Sequence, residues 1–151
     1  MPLSKESFAK STQVTVRNYE IDWQGIVHNA VYLLYFEVGR LAYLRDAGIA
    51  IDLDAIRHQS RVVIARNEIN YVSPARFGDQ LNIFTRVSAI GHTSFTFEGL
   101  LEDAGSGRRV AENVSVHVWL DEMNGKPVRV PEQFRSAVLR IEGKRITLGS
   151  C

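Results

Sequence analysis

Cysteine is nearly absent. The 151-residue chain has one, Cys151, at its last position. No disulfide can form within the chain, which fits a reducing cytoplasm, and a thiol at the very end reads as a frayed terminus. An excess of charge is missing too: 18 Lys and Arg face 17 Asp and Glu, a net charge of +1. Nucleic acid and anionic membranes attract a clear positive excess, so neither is expected as a partner. No apolar run approaches the roughly 20 residues of a membrane span. The opening residues MPLSKESFAKS lack the apolar stretch of a secretory signal. There is no repeat, linker or low-complexity run. What remains is 45% apolar and 23% charged, the make-up of a soluble globular protein. A chain of this length suits one domain, residues 1–151, with a real core.

The most informative stretch is Tyr19 to Glu37, YEIDWQGIVHNAVYLLYFE. It sets an acidic residue and a glycine turn directly before an unusually apolar helix. Val14 and Val16 alternate with polar residues, which predicts a strand over Gln13–Tyr19. Asn29 suits the N-cap of a helix from about Ala30 to Arg45, and Gly48 suits its stop. Apolar residues cover nearly the whole circumference of that helix, which predicts burial on nearly every side.

A short helix over Asp52–His58 is expected next. Four strands follow, at Arg61–Val72, Gln80–Ile90, Thr93–Glu102 and Arg109–Leu120, with a hairpin turn at Ala104–Gly107. In the last strand Val114, Val116, Val118 and Leu120 share one face; Asn113, Ser115, His117 and Trp119 share the other. Pro131 opens a final short helix, and the tail after Gly143 reads as loose. Successive strands with short turns pair antiparallel. The pattern therefore predicts an α+β fold: one curved five-stranded antiparallel sheet around a central helix, with edges that call for association.

That arrangement is the hot-dog fold, and the residues resemble the 4-hydroxybenzoyl-CoA thioesterase family and related short-chain acyl-CoA thioesterases. The resemblance rests on three ordered blocks. The first is Asp22, Gly25, Ile26, Val27, His28, Asn29 and Tyr32, then Phe36, Glu37 and Arg40. The second is NYVSPARFGDQL, Asn70 to Leu81; the third is HVWLDEMNGKPVRVPEQFR, His117 to Arg135. Together they cover about residues 12–138. The resemblance implies hydrolysis of an acyl- or aroyl-CoA without a metal or other cofactor, CoA being part of the substrate. It also implies a cytoplasmic homodimer, its site at the subunit interface, that pairs into a homotetramer.

On this resemblance Asp22 is the catalytic carboxylate. It can attack the thioester carbonyl to form a mixed anhydride that water cleaves, or act as general base on water; the sequence does not choose. Taken alone, Asp22 also suits the capping of a turn. Asn29 holds the family position whose backbone N–H meets the thioester oxygen at the positive end of the helix. His28 lines the pocket or assists proton transfer to the leaving thiolate. Gly25 permits close substrate approach, and Trp23, Val27 and Tyr32 count as substrate-binding. Glu37 and Arg40 are spaced to pair. On the same resemblance, the basic run that meets the nucleotide phosphates in the hydroxybenzoyl enzyme corresponds here to Gly91-His92-Thr93-Ser94, which has no Arg or Lys. His92, Thr93 and Ser94 are the positions expected to meet CoA, and their lack of positive charge also admits a carrier-protein thioester as substrate. A metal site is not expected, since His58, His92 and His117 do not cluster in sequence. A hot-dog hydratase or dehydratase using Asp22 and His28 is the other enzymatic reading. A non-catalytic acyl-CoA sensor or structural subunit is the third reading; such regulators usually add a DNA-binding module, for which this sequence has no spare length or basic helix.

Overall fold

The computed structural model describes residues 2–49 and 61–149. Strand β1 (Lys10–Thr15) leads through a 3-10 turn at Asn18–Glu20 to helix α1 (Val31–Asp46). Strands β2 (Arg61–Tyr71), β3 (Gln80–Ile90), β4 (Ser94–Asp103) and β5 (Arg109–Leu120) follow, then helix α2 (Glu132–Glu142) and a two-residue strand β6 (Thr147–Leu148). The helix expected over Asp52–His58 lies outside the described residues.

The sheet runs β1-β3-β4-β5-β2, every neighbour antiparallel, with β6 added parallel to β3. Hairpins join β3, β4 and β5 in the middle, while β1 and β2 take the edges on either side of the segment that carries α1. The register slips between Ile64 and Arg66, Val87 and Ala89, and Leu101 and Glu102. Each slip adds twist, and together they curve the sheet around the helix. This is the hot-dog fold.

Several local expectations are corrected. The first strand stops at Thr15 because the Glu20 carboxylate accepts the Arg17 backbone N–H at 2.8 Å and folds the chain into a turn. The N-cap of α1 is Ala30, with no side-chain cap, rather than Asn29. The tail past Gly143 pairs as β6, through Ala89↔Thr147 and Ile90↔Leu148.

Helix α1 is not enclosed. Tyr32, Tyr35, Phe36, Gly39 and Tyr43 face the sheet and are buried, whereas Leu34, Val38 and Leu41 remain 57%, 41% and 41% exposed. Among the described residues the sheet meets the helix mainly through β1, β3 and β4, and an apolar stripe is left turned outward. The expected Glu37–Arg40 pair does not form among the described residues: Glu37 is exposed, and Arg40 is half-buried, its pKa lowered by burial and only partly restored by Glu37.

Two apolar clusters hold the layers together. Tyr32, Tyr35 and Phe36 pack with Val16, Val27, Leu81, Ile83 and Leu101 beneath the first half of α1. Tyr43 packs with Val87, Phe95, Phe97, Phe134 and Val138 beneath the second half and α2. Each such side chain contributes on the order of 2 kcal/mol on burial. The Tyr43 hydroxyl donates to Glu142 at 2.6 Å, tying the end of α1 to α2. The first cluster carries the loop that leads into α1.

Candidate active site

That loop, Ile21 to Ala30, is pinched at its base by an antiparallel bridge between Ile21 and Val27. The Asp22 N–H donates to the Ile26 carbonyl at 2.9 Å, and the Gly25 N–H donates back to the Asp22 carbonyl at 3.0 Å. Gly25 closes the turn at φ +81°, where a side chain would be strained. The turn is sewn to the body at two points. The Val27 N–H donates to the Ala75 carbonyl and the His28 N–H to the Glu20 carbonyl, each at 2.9 Å. Glu20 is itself fixed: burial alone would raise its carboxyl, but the Arg17 side chain, the Arg17 N–H and the Tyr35 hydroxyl together hold it below the usual value.

A cavity of about 500 Å³ opens between this loop and the end of β2. Asp22, Gln24, Ile26, Val27, Asn29 and Tyr32 line one side; Tyr71, Val72, Ser73 and Pro74 line the other. One Asp22 oxygen accepts the Gln24 N–H at 2.8 Å, an Asx turn that orients the carboxylate. The other oxygen has no partner among the described residues. The Tyr32 hydroxyl accepts the Ala75 N–H at 3.1 Å, and its ring meets that of Tyr71 edge-on at 5.5 Å. Burial raises the Tyr32 pKa, so its hydroxyl stays protonated near neutrality.

From Val27 to Val31 every N–H but one has a partner among the described residues. Those of Val27 and His28 are used as described, that of Ala30 reaches His28 Nδ1 at 3.0 Å, and that of Val31 reaches the His28 carbonyl at 2.9 Å. The Asn29 N–H donates to nothing among the described residues. It sits at the positive end of a 16-residue helix and beside the cavity that holds Asp22. A carboxylate with a free oxygen and an unpaired donor at a helix start can hydrate a polarised carbonyl or attack it.

Of the residues singled out from sequence, Asp22, Asn29, Val27 and Tyr32 share this cavity. Gly25 shapes the turn behind it. Trp23 is 92% exposed and His28 is exposed, and neither lines the cavity. His92, Thr93 and Ser94 lie elsewhere, at the β3–β4 turn next to α2. There the His92 and Thr93 carbonyls take the N–H groups of Val130 and Trp119, and buried Arg135 donates to the carbonyls of Gly91 and His92. Among the described residues no three His, Cys, Asp or Glu side chains converge as metal ligands, and no helix is long and apolar enough to cross a membrane. The far wall, Val72 to Pro74, has no role assigned from sequence, although the block NYVSPA contains it. Only the fold brings that turn opposite Asp22.

Known proteins share the sequence pattern and the fold of this chain. Residues 16–138 match the model of the Thioesterase-like superfamily. The chain is 32% identical over 124 residues to the chloroplastic acyl-acyl carrier protein thioesterase ATL3 of Arabidopsis thaliana, covering 82% of this chain and 64% of that one. The chain thus spans just under two thirds of that relative's length. It is 27% identical to the long-chain acyl-CoA thioesterase FadM of Escherichia coli, covering 82% of this chain and 92% of FadM. Among solved structures, a thioesterase from Thermus thermophilus complexed with coenzyme A and zinc superposes with a TM-score of 0.79 at 32% identity, covering 92% of this chain and 98% of that one.

Proposed function

Because the chain belongs to the thioesterase-like superfamily, we propose that it hydrolyses an acyl- or aroyl-CoA thioester to the free acid and CoA. The observation that carries this reading is the pairing of Asp22 and Asn29 in one cavity, the first with a free carboxylate oxygen and the second with an unpaired N–H. The thioester carbonyl oxygen docks on the Asn29 N–H, where the helix start stabilises the negative charge that develops. A donor in that role is worth on the order of 3 kcal/mol. Asp22 then either adds to the carbonyl carbon or takes a proton from an attacking water. In the first route the thiolate of CoA leaves, and water cleaves the resulting anhydride to return the carboxylate. In the second, the tetrahedral intermediate expels the same thiolate, which regains a proton from solvent.

A carrier-protein thioester is the second reading. The Gly91–Ser94 turn has no Arg or Lys of its own to meet a nucleotide phosphate, and the relative ATL3 is named for acyl-carrier-protein substrates. The working unit in this proposal is a cytoplasmic homodimer that pairs into a tetramer. The free edge of β2, with Val62, Val63 and Ile64 at 41%, 41% and 47% exposure, and the outward stripe of α1 support association.

The test is release of free thiol from a panel of acyl- and aroyl-CoA esters and an acyl-carrier protein, with wild type and Asp22→Asn side by side. The expected result is hydrolysis by wild type and a turnover rate at least about 100-fold lower in Asp22→Asn, with unchanged folding. An Asp22→Asn variant that turns over like wild type removes Asp22 from the chemistry. No hydrolysis of any ester by wild type removes the thioesterase reading.

A further inference from the structure

Asn29 is the junction of two peptide groups, His28–Asn29 and Asn29–Ala30, and these carry four hydrogen-bonding groups between them. Three are engaged inside the protein. The His28 carbonyl takes the Val31 N–H at 2.9 Å. The Asn29 carbonyl takes the Tyr71 hydroxyl at 3.0 Å. The Ala30 N–H is held by His28 Nδ1 at 3.0 Å. The fourth, the Asn29 N–H, is the one with no partner among the described residues.

We propose that Tyr71 and His28 are positioning residues that clamp the Asn29–Ala30 peptide from its two sides and, with the His28 carbonyl already held by the Val31 N–H on the other peptide, fix the direction of the Asn29 N–H. The inference rests on the thioesterase reading above and assigns two side chains that reading leaves without a stated role. The His28 contact is an Asx turn made with a ring: the side chain accepts from the N–H two residues on, as Asn and Asp commonly do. A ring nitrogen that accepts a backbone N–H carries no proton, so His28 Nδ1 is not a proton donor in this arrangement. Tyr71 reaches the carbonyl from the last residue of β2, across the mouth of the cavity, and its ring is braced edge-on against Tyr32. The loop peptide is thereby anchored to a strand and to its own turn. Misplacement of a catalytic group by about 1 Å can cost up to 10²-fold in rate. The clamp therefore acts on turnover and not on substrate affinity.

Two substitutions test this. Tyr71→Phe removes the hydroxyl and keeps the ring against Tyr32. His28→Asn keeps an acceptor at the right distance from the Ala30 N–H, whereas His28→Ala removes it. With an acyl-CoA ester that wild type hydrolyses, kcat is expected to fall roughly 10-fold in Tyr71→Phe and in His28→Ala with KM little changed, while His28→Asn stays within about 2-fold of wild type. Amide exchange at Ala30 is expected to speed up in the first two variants and not in the third. Equal loss in His28→Asn and His28→Ala would mean that the ring itself does chemistry, and would overturn the clamp. So would a Tyr71→Phe enzyme with wild-type kcat, or one changed only in KM. A wild type inactive on every thioester overturns the function reading and this inference with it; an active wild type with unaltered variants overturns this inference alone.

Discussion

The Tyr35 hydroxyl donates to the Glu20 carboxylate at 2.9 Å, while the Glu20 main-chain oxygen holds the His28 N–H at the same distance. One buried residue thus joins the first turns of α1, the 3-10 turn and the loop that presents Asn29. Glu20 is 5% exposed, and its carboxylate is also held by Arg17.

Removing the Tyr35 hydroxyl tests this junction. A hydrogen bond to a charged, buried acceptor contributes about 1.5–3 kcal/mol. Tyr35→Phe should lose about that much stability in urea unfolding at pH 7, with the denaturant slope unchanged. A variant as stable as wild type would show that Arg17 alone satisfies the carboxylate.

His117 predicts a pH dependence. It is 6% exposed, stacks on Phe95 with ring centroids 5.2 Å apart, and meets the Ser115 hydroxyl at 2.9 Å. Burial, and then the nearby Arg40, push its pKa from 6.5 to about 4. Between these values the unfolded chain binds a proton that the folded protein refuses. Stability therefore rises with pH across this window and is lost as pH falls from about 6.5 to 4, by at most about 3 kcal/mol. Urea midpoints measured between pH 7 and 5 should show this slope in wild type and a flatter one in His117→Gln. Equal slopes in the two proteins would remove His117 as their source.

The strand alternation and the Asp22-to-Tyr32 block make the sheet and the site loop legible in the sequence. The rest is hidden for physical reasons. Alternation in β5 separates the faces but does not say which is inside. The polar face is the buried one, because Asn113 donates to the Asn67 side chain and the Glu68 carbonyl, and Ser115 and His117 satisfy each other. The apolar circumference of α1 reads as burial on all sides. Leu34, Val38 and Leu41 are instead an outward stripe, which composition cannot tell from a second buried face. The start of α1 reads as an Asn29 cap because Asn is a common cap. The helix instead starts from Ala30 with no side-chain cap, and the His28 ring holds only the Ala30 N–H ahead of the first turn. The cavity wall at Val72–Pro74 depends on a contact between distant segments, such as the Tyr71–Asn29 bond spanning 42 positions, which local pattern cannot reveal.

Gly99 marks where α1 comes closest to β4. A Cβ there would lie 2.5 Å and 2.9 Å from two ring carbons of Phe36, which is 2% exposed and has no room to withdraw. Gly39 faces the same problem from the helix side, against Thr85 and the Ile83 Cγ2 at 2.6 Å. Alanine in place of Gly39 gains about 1 kcal/mol of helix propensity, but overpacking costs about 1–3 kcal/mol. Sterics should win at both, and by more at Gly99, where the gain of replacing a strand glycine is about 0.5–1 kcal/mol and the clash is with a buried ring. Both variants should therefore unfold at lower urea than wild type, Gly99→Ala by more. A stabilised Gly99→Ala would mean that the helix can lift from the sheet at little cost.

The edge of β2 is the last testable feature. Its inner side pairs with β5 from Arg61↔Leu120 to Tyr71↔Ala111, and its outer side pairs with no strand among the described residues. Val62, Val63 and Ile64 stand there 41–47% exposed. This apolar end of the edge attracts another strand, while Arg66 and Glu68 further along carry the charge that natural sheets use to keep an edge unpaired. If a second copy pairs along β2, wild type should show twice the chain mass by light scattering, and Val63→Lys should shift it toward one chain while Leu41→Lys on α1 leaves the dimer intact. If the outward stripe of α1 carries the first contact instead, Leu41→Lys dissociates the pair and Val63→Lys does not. Wild type at the mass of one chain, at concentrations where it is active, would exclude both and place the whole site within a single protomer.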